Sequence, residues 1–281
     1  MLKVLFFVLL PVVLSASDCD GSESEIRSKL HRLSSGEAAE AHARPFQVAL
    51  YLRVGASGPL GFCGGALVSS QWVLTAAHCC FHQGAQVDHV QAVLGAHSLY
   101  SRFENGRRVV AVDAVVAHPE WDAPGFHHDI ALLRLANTVQ LTDTIDVVRL
   151  PYLSISSFNF AGLPAMASGW GIPAEGVNFL SPTLRQKRLS VITDSLCNSV
   201  YSQQLPDNII CGLDIRDGAG TCKGDNGGPL TIFYNQTEEH ILVGVASFVG
   251  VDGCTIDRPS VFTRVQRYLQ WISNTAGIPL Q

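Results

Sequence analysis

The sequence predicts an all-β protein, and three features carry that prediction. From Pro45 onward the chain breaks into short runs rich in β-branched residues: FQVALYLRV, GGALVSSQWVLTA, VQAVLGA, RRVVAVDAVVA and DIALLRL. A second set follows Pro151, with LPAMASGWG, LRQKRLSVI, NIICGL, GGPLTIFY, HILVGVASF and SVFTRV. Glycine and proline punctuate both sets, as in a β-sandwich or barrel. Only the last segment, RVQRYLQWISNTAGI, has helical period: Val265, Tyr268, Leu269 and Ile272 stand at i, i+3, i+4 and i+7, and Gly277 offers a stop. The expected architecture is two β-domains closed by a C-terminal helix.

A chain of 281 residues can build one large or two small cores. Its 47% hydrophobic and 15% charged content fits a compact globular protein and excludes a disordered or coiled-coil one. The net charge of −5 gives no basic face for nucleic acid.

The N-terminus, MLKVLFFVLLPVVLSASDCDG, reads as a signal peptide over residues 1–17. Lys3 supplies the charged start, Leu5 to Leu14 an apolar run, and Ser15, Ala16 and Ser17 a small-residue cleavage site. A membrane anchor needs about 20 apolar residues, more than this run has. Residues 18–32 are polar, without strand or long helix period, and are expected to be a propeptide. The expected location is secreted and extracellular, with no membrane contact. In that oxidising setting most of the eight cysteines should pair, and no C-x-x-C motif suggests a metal instead. Asn235-Gln236-Thr237 is a glycosylation sequon and points to a surface loop.

Three stretches carry the chemistry: LTAAHCC around His78, HHDIALLRL around Asp129, and GDNGGPL around Asn226. With CGGALVSSQWVLTAAHC, SGWG and VFTRV, they resemble the chymotrypsin-like (S1 type) serine endopeptidases from about Leu33 onward, nearest to the arthropod brachyurin-type chymotrypsins and collagenases. The resemblance implies a trypsin-like domain over 33–281, built of two six-stranded antiparallel Greek-key β-barrels and a C-terminal helix. The first barrel would run to about 150, the second from about 151 to 264, and the helix over 265–276. It implies three disulfides, Cys63–Cys79, Cys197–Cys211 and Cys222–Cys254, leaving Cys19 and Cys80 over; a bridge between these two would tether the propeptide, and an intermolecular bond is the rival.

It also implies roles. His78 matches the general base, Asp129 the carboxylate that orients it, and Gly224 with the N–H of residue 226 the oxyanion pocket. Asn226 occupies the nucleophile position. The amide nitrogen has no usable lone pair, and its N–H is too weak an acid for imidazole to deprotonate, so acylation lacks a nucleophile. In a related hydrolase, removing the nucleophile costs about 10⁶ in turnover. Asn226 is expected to hydrogen-bond His78 and hold the site shut or filled.

For activation, the resemblance places a cut between Arg32 and Leu33, freeing an ammonium to pair with Asp225; Ser34 and Ser35 replace the usual branched residue and glycine there. The specificity pocket would have Gly220 at its base, Ser247, Phe248 and Val249 along one wall, and Ser260 opposite. No acid at the base supports a preference for Lys or Arg, and Val249 narrows the mouth. Ala96 stands where some relatives place the first calcium-binding carboxylate, so no metal and no cofactor are expected. His127 and His128 are expected to point to opposite faces of a strand as polar surface. The functional expectation is therefore a non-enzyme: an inactive, monomeric protease homologue that binds protein or peptide ligands, including secreted proteases or their substrates, as a cofactor, decoy or regulator of extracellular proteolysis. The rival is a chymotrypsin-like digestive endopeptidase whose native residue 226 is serine.

Overall fold

Strands form where the β-branched runs predict them. The computed structural model describes residues 36–173, 177–201, 205–216, 218, 220–248 and 258–281. The expected signal peptide, propeptide, Arg32–Leu33 cleavage point, Cys19, Val249 and Cys254 lie outside the described residues. In chain order the strands are β1 (Glu37–Ala38), β2 (Gln47–Arg53), β3 (Gly61–Ser69), β4 (Trp72–Thr75), β5 (Phe81–His82), β6 (Ala85–Gln86), β7 (His89–Leu94), β8 (Arg108–Ala117) and β9 (Ala131–Leu135). There follow β10 (Pro164–Gly169), β11 (Arg185–Val191), β12 (Ile209–Leu213), β13 (Pro229–Tyr234), β14 (Glu239–Phe248) and β15 (Ser260–Arg264).

The first barrel closes in the order β2-β3-β4-β9-β8-β7, all antiparallel. The second runs β11-β10-β13-β14-β15-β12 and closes through the β11–β12 pair, with β1 added outside β11. Pleating sends alternate side chains to opposite faces. Val48, Leu50 and Leu52 of β2 therefore fill the first barrel beside Leu67, Leu74 and Leu133. Ala49 and Val93 instead form a layer with Trp170 and Leu184, which come from the second half of the chain. Leu189, Ile210, Leu230, Val243 and Phe262 make the second core. The expected functional residues His78, Asp129 and Asn226 sit after β4, before β9 and before β13.

Two helices are described. Helix α1 (Asp194–Tyr201) was not visible as a period in the sequence, because Cys197 is its one buried residue. The Thr193 hydroxyl accepts the Leu196 N–H at 3.2 Å and caps its start. The C-terminal helix begins as a 3₁₀ turn, Val265–Tyr268, and continues as α2 (Leu269–Ala276). All four residues of its expected apolar face are buried, and they pack into the core of the first barrel. Gly277, at φ 68°, ends it in the left-handed conformation and returns its N–H to Ser273.

Cys63–Cys79 and Cys197–Cys211 are bonded as the resemblance implies. Cys222 is also disulfide-bonded, and its expected partner lies outside the described residues. Cys80 is a free, fully buried thiol whose Sγ faces the carbonyl of Ala76. A tether through Cys80 would need this side chain to leave the core. Asn235 is exposed in the turn between β13 and β14, as the sequon suggests. No described helix is long and apolar enough to cross a membrane.

Candidate active site

Strand β4 ends at Thr75, and a one-turn 3₁₀ helix, Ala77–Cys80, lifts His78 into the space between the barrels. The Cys63–Cys79 bridge anchors that turn to β3. Asp129 arrives just before β9 and is fully buried. Its Oδ2 lies 2.8 Å from His78 Nδ1, and its Oδ1 accepts the backbone N–H of His78 at 2.8 Å. A carboxylate accepts only, so His78 Nδ1 carries the proton and Nε2 presents its lone pair. The side chain of His78 is 20% exposed, enough to meet a ligand.

Further groups fix the carboxylate. The Ser247 hydroxyl donates to Asp129 Oδ2 at 2.5 Å, and the Thr263 hydroxyl donates to the Asp129 carbonyl at 2.7 Å. Sequence reading placed Ser247 in the pocket wall and did not find this role. It connects residues 118 positions apart, and nothing local signals it.

Asn226 sits in the turn Asp225–Gly228, which is closed by Gly228 N–H on the Asp225 carbonyl at 2.9 Å. Gly224 has φ 95° and Gly227 φ 77°, conformations that L side chains rarely adopt. A Cβ on Gly227 would also lie 2.2 Å from Thr75 Oγ1, so the turn presses against β4. The Asn226 carbonyl accepts the Gly64 N–H at 2.7 Å, which ties the turn to β3 as well. Among the described residues the N–H groups of Gly224 and Asn226, the expected oxyanion donors, make no hydrogen bond. The expected bond between Asn226 and His78 is not formed. The bonds of His78 run to Asp129, with the disulfide sulfur of Cys79 at 3.8 Å from Nε2. The turn is held by its main chain, which leaves the carboxamide without a share in that anchoring.

Asp225 as a residue is half-buried, and its carboxylate is enclosed. Oδ1 accepts the Gly171 N–H at 2.8 Å and Oδ2 the Cys222 N–H at 2.9 Å. Burial pushes this carboxyl above its ordinary range, opposed by those two N–H groups and by the charge of Arg185. The Arg185 guanidinium in turn donates to the Gly36 carbonyl. Gly36, Gly171, Arg185 and Asp225 line one narrow cleft.

Of the expected specificity residues, Gly220 and Ser260 stand against each other. A Cβ on Gly220 would lie 2.1 Å from Ser260 Oγ, and that hydroxyl accepts the Thr221 N–H at 2.7 Å. The base is neutral. Phe248 belongs to an aromatic wall that sequence reading did not assemble: Phe126 lies 5.4 Å from Phe248, 5.7 Å from His78 and 6.1 Å from Trp121 between ring centroids. Lys223, beside the turn, is exposed. His127 and His128 are not on a strand. His128 has φ 53°, β9 starts only at Ala131, and the His128 ring stacks on His118 at 4.9 Å.

The model of the family described as Trypsin matches residues 33–272. A brachyurin from Leptuca pugilator is 35% identical over 243 residues, 86% of this chain and 98% of that protein. A chymotrypsin from Phaedon cochleariae is 34% identical, covering 84% of this chain and 79% of its own length. The solved structure of HL collagenase superposes with a TM-score of 0.76 at 30% identity, covering 87% of this chain and 99% of that one. These likenesses correct the expectation of a non-enzyme: they point to a protease, and none marks a departure from catalysis. Matched by the family model over nearly the whole described length, and by relatives almost end to end, the chain belongs to the trypsin family of chymotrypsin-like serine endopeptidases.

Proposed function

We propose that the protein is a secreted protease of this family that hydrolyses polypeptide slowly, with water in place of a side-chain nucleophile, and that it also regulates extracellular proteolysis by holding polypeptides in its cleft. The carrying observation is the intact His78–Asp129 pair, 2.8 Å apart, facing a turn whose apex is a carboxamide. His78 Nε2 takes a proton from a water whose oxygen attacks the scissile carbonyl carbon. Asp129 stabilises the imidazolium, and the N–H groups of Gly224 and Asn226 receive the oxyanion. Collapse of the tetrahedral intermediate breaks the C–N bond as His78 returns the proton to the leaving amine. No acyl-enzyme forms. In a related hydrolase, loss of the nucleophile leaves about 10³–10⁴ over water from the remaining site. The neutral Gly220–Ser260 base favours substrates with uncharged side chains at the cleavage position.

The test is peptide turnover by purified, activated protein beside Asn226→Ser and His78→Ala. Slow turnover without a burst is expected, lost in His78→Ala. Restoring a hydroxyl in Asn226→Ser should raise kcat by about 10³-fold or more and permit labelling by a fluorophosphonate. A burst in the parent protein, or parent turnover unchanged by His78→Ala, would overturn the mechanism.

A further inference from the structure

The loop between β8 and β9 is a hairpin-like structure. The His118 N–H bonds the Ile130 carbonyl at 3.0 Å, and Asp122 and His127 exchange two backbone bonds at 3.0 and 3.3 Å. This folding gathers His118, Glu120 and His128 so that one ligand atom from each lies within 4.8 Å of the others. His128 Nε2 is 4.0 Å from Glu120 Oε2. The other nitrogen of His128, Nδ1, lies 3.1 Å from the Tyr268 hydroxyl, which accepts the Asn208 amide N–H at 2.7 Å. That hydroxyl either donates its proton to Nδ1 or accepts from a protonated Nδ1 through its second lone pair. In the latter arrangement Nε2 is a free lone pair turned toward Glu120. Oxygen partners on the far nitrogen orient the imidazoles that bind metals. Tyr268 and Trp271 pack edge-on against His118 at 5.1 and 5.2 Å and wall one side of the cluster.

We propose that His118, Glu120 and His128 form a site for a zinc-like divalent transition metal, with water completing a tetrahedral shell. Two imidazoles and one carboxylate suit such ions, whereas calcium and magnesium call for a shell of oxygens. Bonds of about 2.0–2.2 Å require the ligand atoms to draw together by roughly 1 Å, and the parallel His118 ring to turn toward the ion. Only the long bond from the Glu120 N–H to His118 Nδ1, at 3.3 Å, is given up, whichever ring nitrogen binds. Glu120 is exposed and both histidines are half-buried, so the ion has an entry path. The site lies outside the catalytic group but on its loop. Trp121 and Phe126 belong to the same hairpin, and Phe126 packs against His78. Binding would fix that aromatic wall beside the cleft.

Calorimetric titration of the full chain with zinc chloride tests the proposal, with cobalt(II) absorption as a report on geometry. One saturable equivalent is expected, with the intense visible bands of tetrahedral cobalt. Glu120→Gln and His118→Gln should each weaken zinc by about 10- to 100-fold, while His89→Gln, on β7 away from the cluster, should not. Glu120 is a surface residue, so its variant separates lost ligation from lost folding. Absence of saturable binding, or parent-like affinity in Glu120→Gln, would overturn the site.

Discussion

At the scale of single residues, burial and neighbouring charge set the response to acid. His240 packs between the rings of Phe46 and Phe233, and its Nε2 accepts from the Arg44 guanidinium at 3.0 Å. Burial, and then the positive charge of Arg44, push its pKa down to about 4. In the unfolded chain the ring protonates near pH 6.5. Between these values the unfolded state binds the extra proton, so stability falls as pH drops from about 6.5 to about 4. His240→Gln should reduce that loss. Urea midpoints at pH 7 and pH 5 would show it, and equal losses in parent and variant would remove His240 from the account. The buried thiol of Cys80, pushed up to about 12 by burial and then by the charge of Asp129, is inert to the same range of pH.

Among the elements, a buried ionic link joins β11 to the chain just after β12. Asp214 is 2% exposed at its side chain and lies 3.0 Å from Lys187 Nζ, while Arg216 adds bonds of 2.9 and 3.1 Å. Burial alone would raise the Asp214 carboxyl, but Arg216 and Lys187 outweigh it and hold the group well below the carboxylate range. Its contribution is therefore present above the unfolded pKa, near 3.9, and is lost as pH falls below that. Asp214→Ala would leave the nearly buried Lys187 without this partner. The expected cost is about 3–5 kcal/mol by chemical denaturation at pH 7; a change under about 1 kcal/mol would show the pair to be a surface-like contact.

Over the whole molecule, the helix that follows the last strand of the second barrel completes the core of the first. Ile272 is fully buried there beside Leu269 and Tyr268. Ile272→Ala should cost about 2–5 kcal/mol. Because that contact joins the two halves, one cooperative transition should move as a unit in calorimetry; separate melting of two domains would contradict the coupling. This packing shows what a sequence can and cannot carry. The i, i+3, i+4 pattern marks the buried face of α2 without naming what covers it. His78, Asp129 and Asn226 stand in motifs whose local order fixes their places, so their positions were legible. Ser247 on Asp129 and His118 on His128 were not, since the first joins positions 118 residues apart and the second depends on how one loop folds back on itself. Asn226 was also misread in part, because its carbonyl, tied to Gly64, holds the turn while its side chain makes no bond to His78.

Arg185 has one consequence for Asp225. It anchors on the Gly36 carbonyl and lends positive potential to Asp225, so the enclosed carboxyl already has a cationic neighbour within the fold. A further cation brought into that cleft would meet a charge already partly compensated, and would gain more from fit than from attraction.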